Sequence, residues 1–157
     1  MKNKVVCIIP ARGGSKGLKN KNLLKLNNIP LIGYPIKAAL ASKVIDRIIV
    51  TTDSEKIAKV AKKYGAEVPF IRPKALARDN TTTEDTLKHA LLEYEKISGI
   101  KFDICVFLTC TDIFRKVGWI KNVVNTLIKN PKIQSCFVTS KTHKNYWLYD
   151  NDIKIKR

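Results

Sequence analysis

The residues best suited to chemistry lie in one loop near the start of the chain. The apolar segment Val5–Ile9 leads directly into a stretch rich in glycine, cations and polar side chains: Arg12, Gly13, Gly14, Ser15, Lys16, Gly17, Lys19, Lys21 and Asn22. Glycines let a backbone turn tightly and approach a ligand, and free N–H groups in a loop lined with cations attract phosphate. We therefore predict that this loop holds the phosphates of a nucleotide. A solvated basic turn is the alternative.

This loop matches neither of the common phosphate-binding motifs. A Gly-x-Gly-x-x-Gly pattern that starts at Gly13 would need glycine where Ser15 stands. The P-loop pattern would need lysine directly after its second glycine, but Leu18 follows Gly17. The sequence therefore disfavours both a dinucleotide-binding dehydrogenase and a P-loop NTPase.

Apolar strand-like runs alternate with helical patterns along the chain. The predicted strands are Val5–Ile9, Arg47–Thr51, Glu67–Ile71, Ile104–Leu108 and Ser135–Thr139. The predicted helices are Leu31–Ser42, Glu55–Tyr64, Thr82–Ile97 and Lys116–Lys129, with apolar residues such as Leu40 turned inward. This alternation is typical of an α/β fold with a three-layer, mostly parallel sheet and flanking helices. Ile104–Leu108, a continuous apolar run, is expected to be central.

The loops after these strands are expected to meet at one edge of the sheet. Ligands of open α/β sheets bind beyond the carboxyl ends of the strands. The polar residues that the topology brings there are Arg12, Lys16, Lys21, Asn22, Arg72, Thr81, Thr83 and Arg115. Thr81 and Glu84 also form a capping-box pattern at the start of the third long helix, so a structural role for these threonines stays open.

Composition limits the class of protein. The 157 residues suffice for one domain with a core, and the net charge of +17 favours polyanionic partners. We find no nucleic-acid-binding motif and no apolar stretch long enough for a membrane span, so we expect no nucleic-acid partner, no membrane and a cytoplasmic location. The four cysteines lack metal-site spacing; Cys7, Cys105 and Cys136 fall in predicted buried strands.

Three segments resemble one family in order and spacing. Ile9–Asn22, Asp46–Ser54 and Gly65–Pro73 are similar to signature segments of the acylneuraminate cytidylyltransferases, also called CMP-sialic acid synthetases. The resemblance covers roughly residues 4–115. It implies a Rossmann-like nucleotide-diphospho-sugar transferase fold and transfer of CMP from CTP to a nine-carbon acidic sugar, with release of pyrophosphate.

The resemblance also implies roles for individual residues. Arg12 and Lys21 match cations that neutralise the leaving pyrophosphate, so we predict that they are catalytic. The predicted nucleotide-binding set is Gly13, Gly14, Ser15, Lys16, Asn22, Arg72, Thr81, Thr83 and Thr109. A surface ion pair is the alternative for Arg72. The family implies Mg²⁺ as cofactor, although no metal ligands are evident in this sequence.

Two departures from the family pattern matter. Thr109 stands where relatives have a ligand-contacting glutamine, which points to a different contact to the sugar or the base. The chain also ends at Arg157, so we expect a single nucleotidyltransferase domain over residues 1–157 that lacks the family's C-terminal part, with a homodimer left open. The alternatives are a catalytically incomplete nucleotide-binding module, a KDO-type cytidylyltransferase and a nucleic-acid-binding protein.

Overall fold

A three-stranded parallel sheet forms the centre of the fold. The computed structural model describes residues 3–15, 17–139, 148–149 and 155–156. Strand β1 (Val5–Pro10) lies between β4 (Arg47–Thr51) and β5 (Ile104–Phe107). Ile8 is in register with Ile49 on one side and with Phe107 on the other. All three strands are parallel, so their carboxyl ends reach the same edge.

In the described part of the chain, four helices cover the two faces of this sheet: α1 (Gly33–Ser42), α2 (Glu55–Lys63), α3 (Thr83–Ser98) and α4 (Val117–Lys129). Alternate residues of β1 face opposite layers, because side chains along a strand alternate. Cys7 and Ile9 pack in the cluster with α1, α2 and α4, whereas Val6 and Ile8 pack against α3. The three-layer α/β fold predicted from the sequence is confirmed.

Short elements complete the described chain. Strands β2 (Lys25–Leu26) and β3 (Ile29–Pro30) form a hairpin, and Asn27 and Asn28 turn it with φ of 47° and 62°. Asparagine tolerates this left-handed conformation, which two-residue hairpin turns require. The remaining elements are 3-10 helices at Lys21–Leu23 and Lys74–Ala77 and an antiparallel pair, β6 (Leu148–Tyr149) with β7 (Ile155–Lys156).

The strand predicted over Glu67–Ile71 is wrong. This segment runs beside β4 but makes only a single parallel bridge, between Glu67 and Ile49. Its backbone donates from Glu67 to Ile48 (2.8 Å) and accepts from Val50 (2.9 Å). Pro69 comes two residues later and has no N–H to donate, so the ladder cannot continue.

The prediction that Ile104–Leu108 is central is also wrong. In the order β4–β1–β5, the middle strand is β1, and β5 has a neighbour on one side only among the described residues. On β5, Ile104 and Val106 are buried whereas Cys105 and Phe107 are exposed, because side chains along a strand alternate between the two faces of the sheet. Ser135–Thr139 adopts no strand, and Cys136 is half-buried rather than buried. Strand-like composition does not produce a strand without a hydrogen-bonding neighbour.

Helix ends and faces largely follow the sequence, with two corrections. Ser54 caps α2, its hydroxyl accepting from the Ile57 amide at 3.5 Å. Helix α3 is capped by Thr82, whose hydroxyl accepts from the Asp85 amide at 3.0 Å, instead of by the predicted pair of Thr81 and Glu84. Leu40, expected to face inward on α1, is 49% exposed.

Replacing Gly33 with alanine is expected to lower the free energy of unfolding by about 1–3 kcal/mol, the usual range for overpacking. A Cβ at this position would lie 2.8 Å from Tyr64 Cε1 and 3.0 Å from Ile29 Cγ2. Chemical denaturation measures the loss. Gly118→Ala is the matched control, because nothing lies within 4 Å of its added Cβ and alanine favours a helix. Equal stability of the two variants would contradict the prediction.

Candidate functional site

A cavity of about 570 Å³ opens at the carboxyl edge of the sheet. Its wall comes from the loop after β1, from residues 72–86 and from the loop after β5. Eight of the predicted site residues line it: Arg12, Ser15, Lys21, Asn22, Arg72, Thr81, Thr83 and Thr109. Gly13 and Gly14 do not line the cavity, and Lys16 lies outside the described residues. The loops therefore bring together residues that are far apart in the sequence.

The glycine loop is held by hydrogen bonds to its neighbours. The Gly13 amide donates to Asp53 Oδ1 (2.8 Å), and the buried Asn22 donates from Nδ2 to the Arg12 carbonyl (3.0 Å). A Cβ on Gly13 would lie 3.1 Å from Ser54 Cβ, so glycine permits the close approach of this loop to the end of β4. Because the Gly13 amide is engaged by Asp53, this arrangement does not support the expected donation from Gly13 to phosphate.

Substituting Asp53 with alanine is expected to loosen the glycine loop. A hydrogen bond to a charged group contributes about 1.5–3 kcal/mol, and the Gly13 amide would lose its acceptor. We expect a comparable fall in the free energy of unfolding and faster hydrogen exchange at Gly13. NMR-detected exchange measures the local effect, with the exposed Glu55→Ala as control. Unchanged exchange at Gly13 would show that this bond does not order the loop.

Arg72 is a buried cation on the cavity wall. It is 4% exposed, and its backbone amide donates to the Thr52 carbonyl at 2.8 Å. Burial lowers the pKa of its guanidinium, while nearby Asp53 opposes that shift and Arg12 adds to it. Within the described residues, Nε of Arg72 has no hydrogen-bond partner. The alternative of a surface ion pair is therefore excluded, and the buried cation is suited to bind an anion or a carbonyl oxygen.

Arg12 and Lys21 add positive charge to the same cavity. Arg12 Nη1 lies 2.9 Å from Asp79 Oδ1, and the two side chains are 34% and 48% exposed. Lys21 begins the 3-10 helix that follows the glycine loop. Converging cations of this kind bind phosphate groups, and guanidinium binds them with directional hydrogen bonds. Asp79 was missed by sequence reasoning because it lies in a polar segment without periodicity.

The threonines occupy different structural positions. Thr81 Oγ1 donates to the Ala75 carbonyl at 3.3 Å and so closes the loop before α3. Thr83 is the first residue of α3 and exposed. Thr109 is positioned by Arg115, whose Nη2 donates to the Thr109 carbonyl at 3.2 Å. Arg115 also pairs with Asp112 at 3.1 Å and does not line the cavity, contrary to expectation.

Sequence reasoning also missed Phe107, Cys110 and Thr86, which line the cavity. Phe107 is the last residue of β5 and so lies at the carboxyl edge of the sheet, where the cavity opens. Burial raises the pKa of the Cys110 thiol to about 12, which outweighs the opposing charges of Lys21 and Arg115. The thiol is therefore protonated at neutral pH and is not a nucleophile.

The described residues do not fit a protein-held magnesium site. Among them, no group of three or more metal-ligating side chains occurs. Asp79 is the only carboxylate in the described wall of the cavity, and it is paired with Arg12. Asp150, Asn151 and Asp152, an Asp-x-Asp pattern by letter, lie outside the described residues. In the described part of the chain, no helix is long and apolar enough to cross a membrane.

Known proteins share this sequence pattern and fold. The cytidylyltransferase family model matches residues 6–154. The N-acylneuraminate cytidylyltransferase of Escherichia coli O18:K1:H7 is 49% identical over 94 residues, which are 60% of this chain and 22% of that protein. The pseudaminic acid cytidylyltransferase of Campylobacter jejuni is 36% identical over 146 residues, 93% of this chain and 60% of that protein.

A solved structure shares the fold. CMP:2-keto-3-deoxy-manno-octonic acid synthetase complexed with CTP superposes with a TM-score of 0.67 at 22% identity, over 82% of this chain and 49% of that one. The chain thus spans less than two thirds of the length of each of these three proteins. The match over residues 6–154 confirms the resemblance noted in the three signature segments, and the chain belongs to the cytidylyltransferase family.

Proposed function

We propose that this protein transfers a cytidylyl group from CTP to a sialic-acid-like sugar acid. The observation that carries the proposal is the cavity in which Arg12, Lys21 and the buried Arg72 converge at the carboxyl ends of the strands. A triphosphate needs such a cluster of cations, and parallel α/β sheets bind nucleotides at this edge. The relatives' names supply the base and the class of acceptor.

The proposed reaction is a displacement at phosphorus. A hydroxyl oxygen of the sugar acid attacks the α-phosphorus of CTP and loses its proton to solvent. The bond from that phosphorus to the oxygen bridging to the β-phosphate breaks, and pyrophosphate leaves. Arg12 and Lys21 would stabilise the negative charge that develops on the departing group, as fixed cations do in phosphoryl transfer.

The remaining cavity residues would hold and orient CTP. Asn22 fixes the Arg12 carbonyl and thereby the loop that carries the guanidinium. Arg72 would donate to an oxygen of the nucleotide from its buried position. Ser15, Thr81, Thr83 and Thr109 would contribute hydroxyl groups at the wall. Arg115 would act indirectly, because its hydrogen bond to the Thr109 carbonyl positions that threonine.

A nucleotide-binding module without turnover is the second candidate. It is favoured by the single, ion-paired carboxylate in the described cavity wall, since phosphoryl transfer commonly needs a carboxylate-held metal. A cytoplasmic location is part of both proposals.

Calorimetry with CTP, UTP and ATP, followed by pyrophosphate release assays, tests the function. The assays use Mg²⁺ and, in turn, N-acylneuraminic acid, pseudaminic acid and 2-keto-3-deoxy-manno-octonic acid. Selective CTP binding with release on either of the first two sugars supports the transferase. Release with the third alone would assign a KDO-type acceptor. CTP binding without release on any sugar indicates the module, and absence of CTP binding would overturn both candidates.

A further inference from the structure

We propose that the Asp79 carboxylate competes with the phosphates of the ligand for the Arg12 guanidinium. This carboxylate pairs with the Arg12 guanidinium, at 2.9 Å between Oδ1 and Nη1. An incoming triphosphate displaces Asp79 from the Arg12 guanidinium, and Asp79 pairs with Arg12 again as pyrophosphate leaves. This inference rests on the proposed function only in assigning Arg12 to phosphate. Its consequence is faster release of the anionic product.

The Asp79 carboxylate and a phosphate group can bind the Arg12 guanidinium in the same way. Carboxylate and phosphate oxygens both accept charge-assisted hydrogen bonds from a guanidinium, with similar geometry. Asp79 and Arg12 both line the cavity, so the ion pair lies at the wall of the space that the ligand would fill. A triphosphate there would also be repelled by the adjacent carboxylate as long as it stayed in place.

The ion pair between Asp79 and Arg12 is weak enough for an anionic ligand to displace it. The Asp79 side chain is 48% exposed and that of Arg12 is 34% exposed, so water competes for both groups. Half-exposed ion pairs contribute little to stability, and a ligand carrying several negative charges can therefore displace one. A fully buried pair would resist displacement, because opening it would leave an unpaired charge in the interior.

The surrounding loop does not depend on this pair for its shape. The Arg72 amide donates to the Thr52 carbonyl at 2.8 Å, which anchors the start of the loop. Nearer Asp79, the Thr81 amide donates to the Arg78 carbonyl and the Thr81 hydroxyl donates to the Ala75 carbonyl, both at 3.3 Å. Asp79 can therefore exchange its partner while these backbone anchors persist.

Asp79→Asn tests the proposal, since asparagine keeps the shape and removes the charge. Calorimetry and stopped-flow measurements would give the affinities and dissociation rates of CTP and of inorganic pyrophosphate. We expect Asp79→Asn to bind pyrophosphate about 3- to 10-fold more tightly, as removal of a weak competing ion pair implies. Most of this gain should appear as slower dissociation. Glu84→Gln, an exposed carboxylate outside the cavity wall, is the matched control and should change neither value.

A double-mutant cycle separates competition at Arg12 from a general charge effect. In an Arg12→Ala background, Asp79→Asn should no longer improve binding. A gain of equal size in that background would overturn the proposal, as would unchanged or weaker binding by Asp79→Asn alone. Absence of CTP binding by the unaltered protein would instead count against the proposed function. The pyrophosphate measurements would still decide the role of Asp79, because they require no nucleotide.

Discussion

Replacing Arg12 with alanine is expected to lower kcat/KM for CTP by about 100- to 1,000-fold, the range for loss of one preorganised donor at a developing negative charge. Arg12 lies on the cavity wall, and Asn22 donates to its carbonyl at 3.0 Å, so the backbone that carries the guanidinium is fixed before the ligand arrives. The loss should fall mainly on kcat, because charge on the pyrophosphate is greatest as it departs.

Steady-state kinetics of pyrophosphate release would measure this loss. Lys19→Ala is the matched control, since Lys19 is an exposed cation of the same loop that does not line the cavity. It should retain kcat/KM within a small factor. Thermal unfolding should show that Arg12→Ala is folded, because the Arg12–Asp79 pair is half-exposed and contributes little to stability. A change below tenfold in kcat/KM would contradict a catalytic role for Arg12.

Arg72→Met is expected to change binding and stability in opposite directions. We expect CTP affinity to fall about 10- to 100-fold, because a hydrogen bond to a charged group contributes about 1.5–3 kcal/mol. The free protein should become more stable, since methionine removes a buried charge whose Nε has no partner within the described residues. The lowered pKa of this guanidinium has the same cause, namely burial.

Calorimetry with CTP and chemical denaturation of the free protein test both parts. Lys74→Met is the matched control, because Lys74 is exposed in the same loop and does not line the cavity. It should leave affinity and stability nearly unchanged. Unaltered CTP affinity in Arg72→Met would remove Arg72 from the binding site. Lower stability of this variant would mean that the buried guanidinium is well compensated in the folded protein.

Local patterns predicted the strands and helices where one interaction dominates. The β-branched run Val5–Ile9 forms the central strand, and the apolar positions Ile57 and Ala61 are buried on α2. Periodicity predicts such elements because each depends on burying one face or both. The pattern failed at Ser135–Thr139, where the composition suits a strand but the described structure provides no hydrogen-bonding neighbour.

The candidate site, too, was predicted from the sequence only in part. By itself, the sequence determined the glycine loop with its cations, its place after a buried strand and the family to which these residues point. The tertiary structure alone decided that Arg72 is buried, that Asp53 engages the Gly13 amide and that Asp79 pairs with Arg12. The last two contacts join segments that are 40 residues or more apart in the sequence. Residue type and spacing describe what a side chain can do, but only the packing of distant loops sets which partner it meets and how much water remains around it.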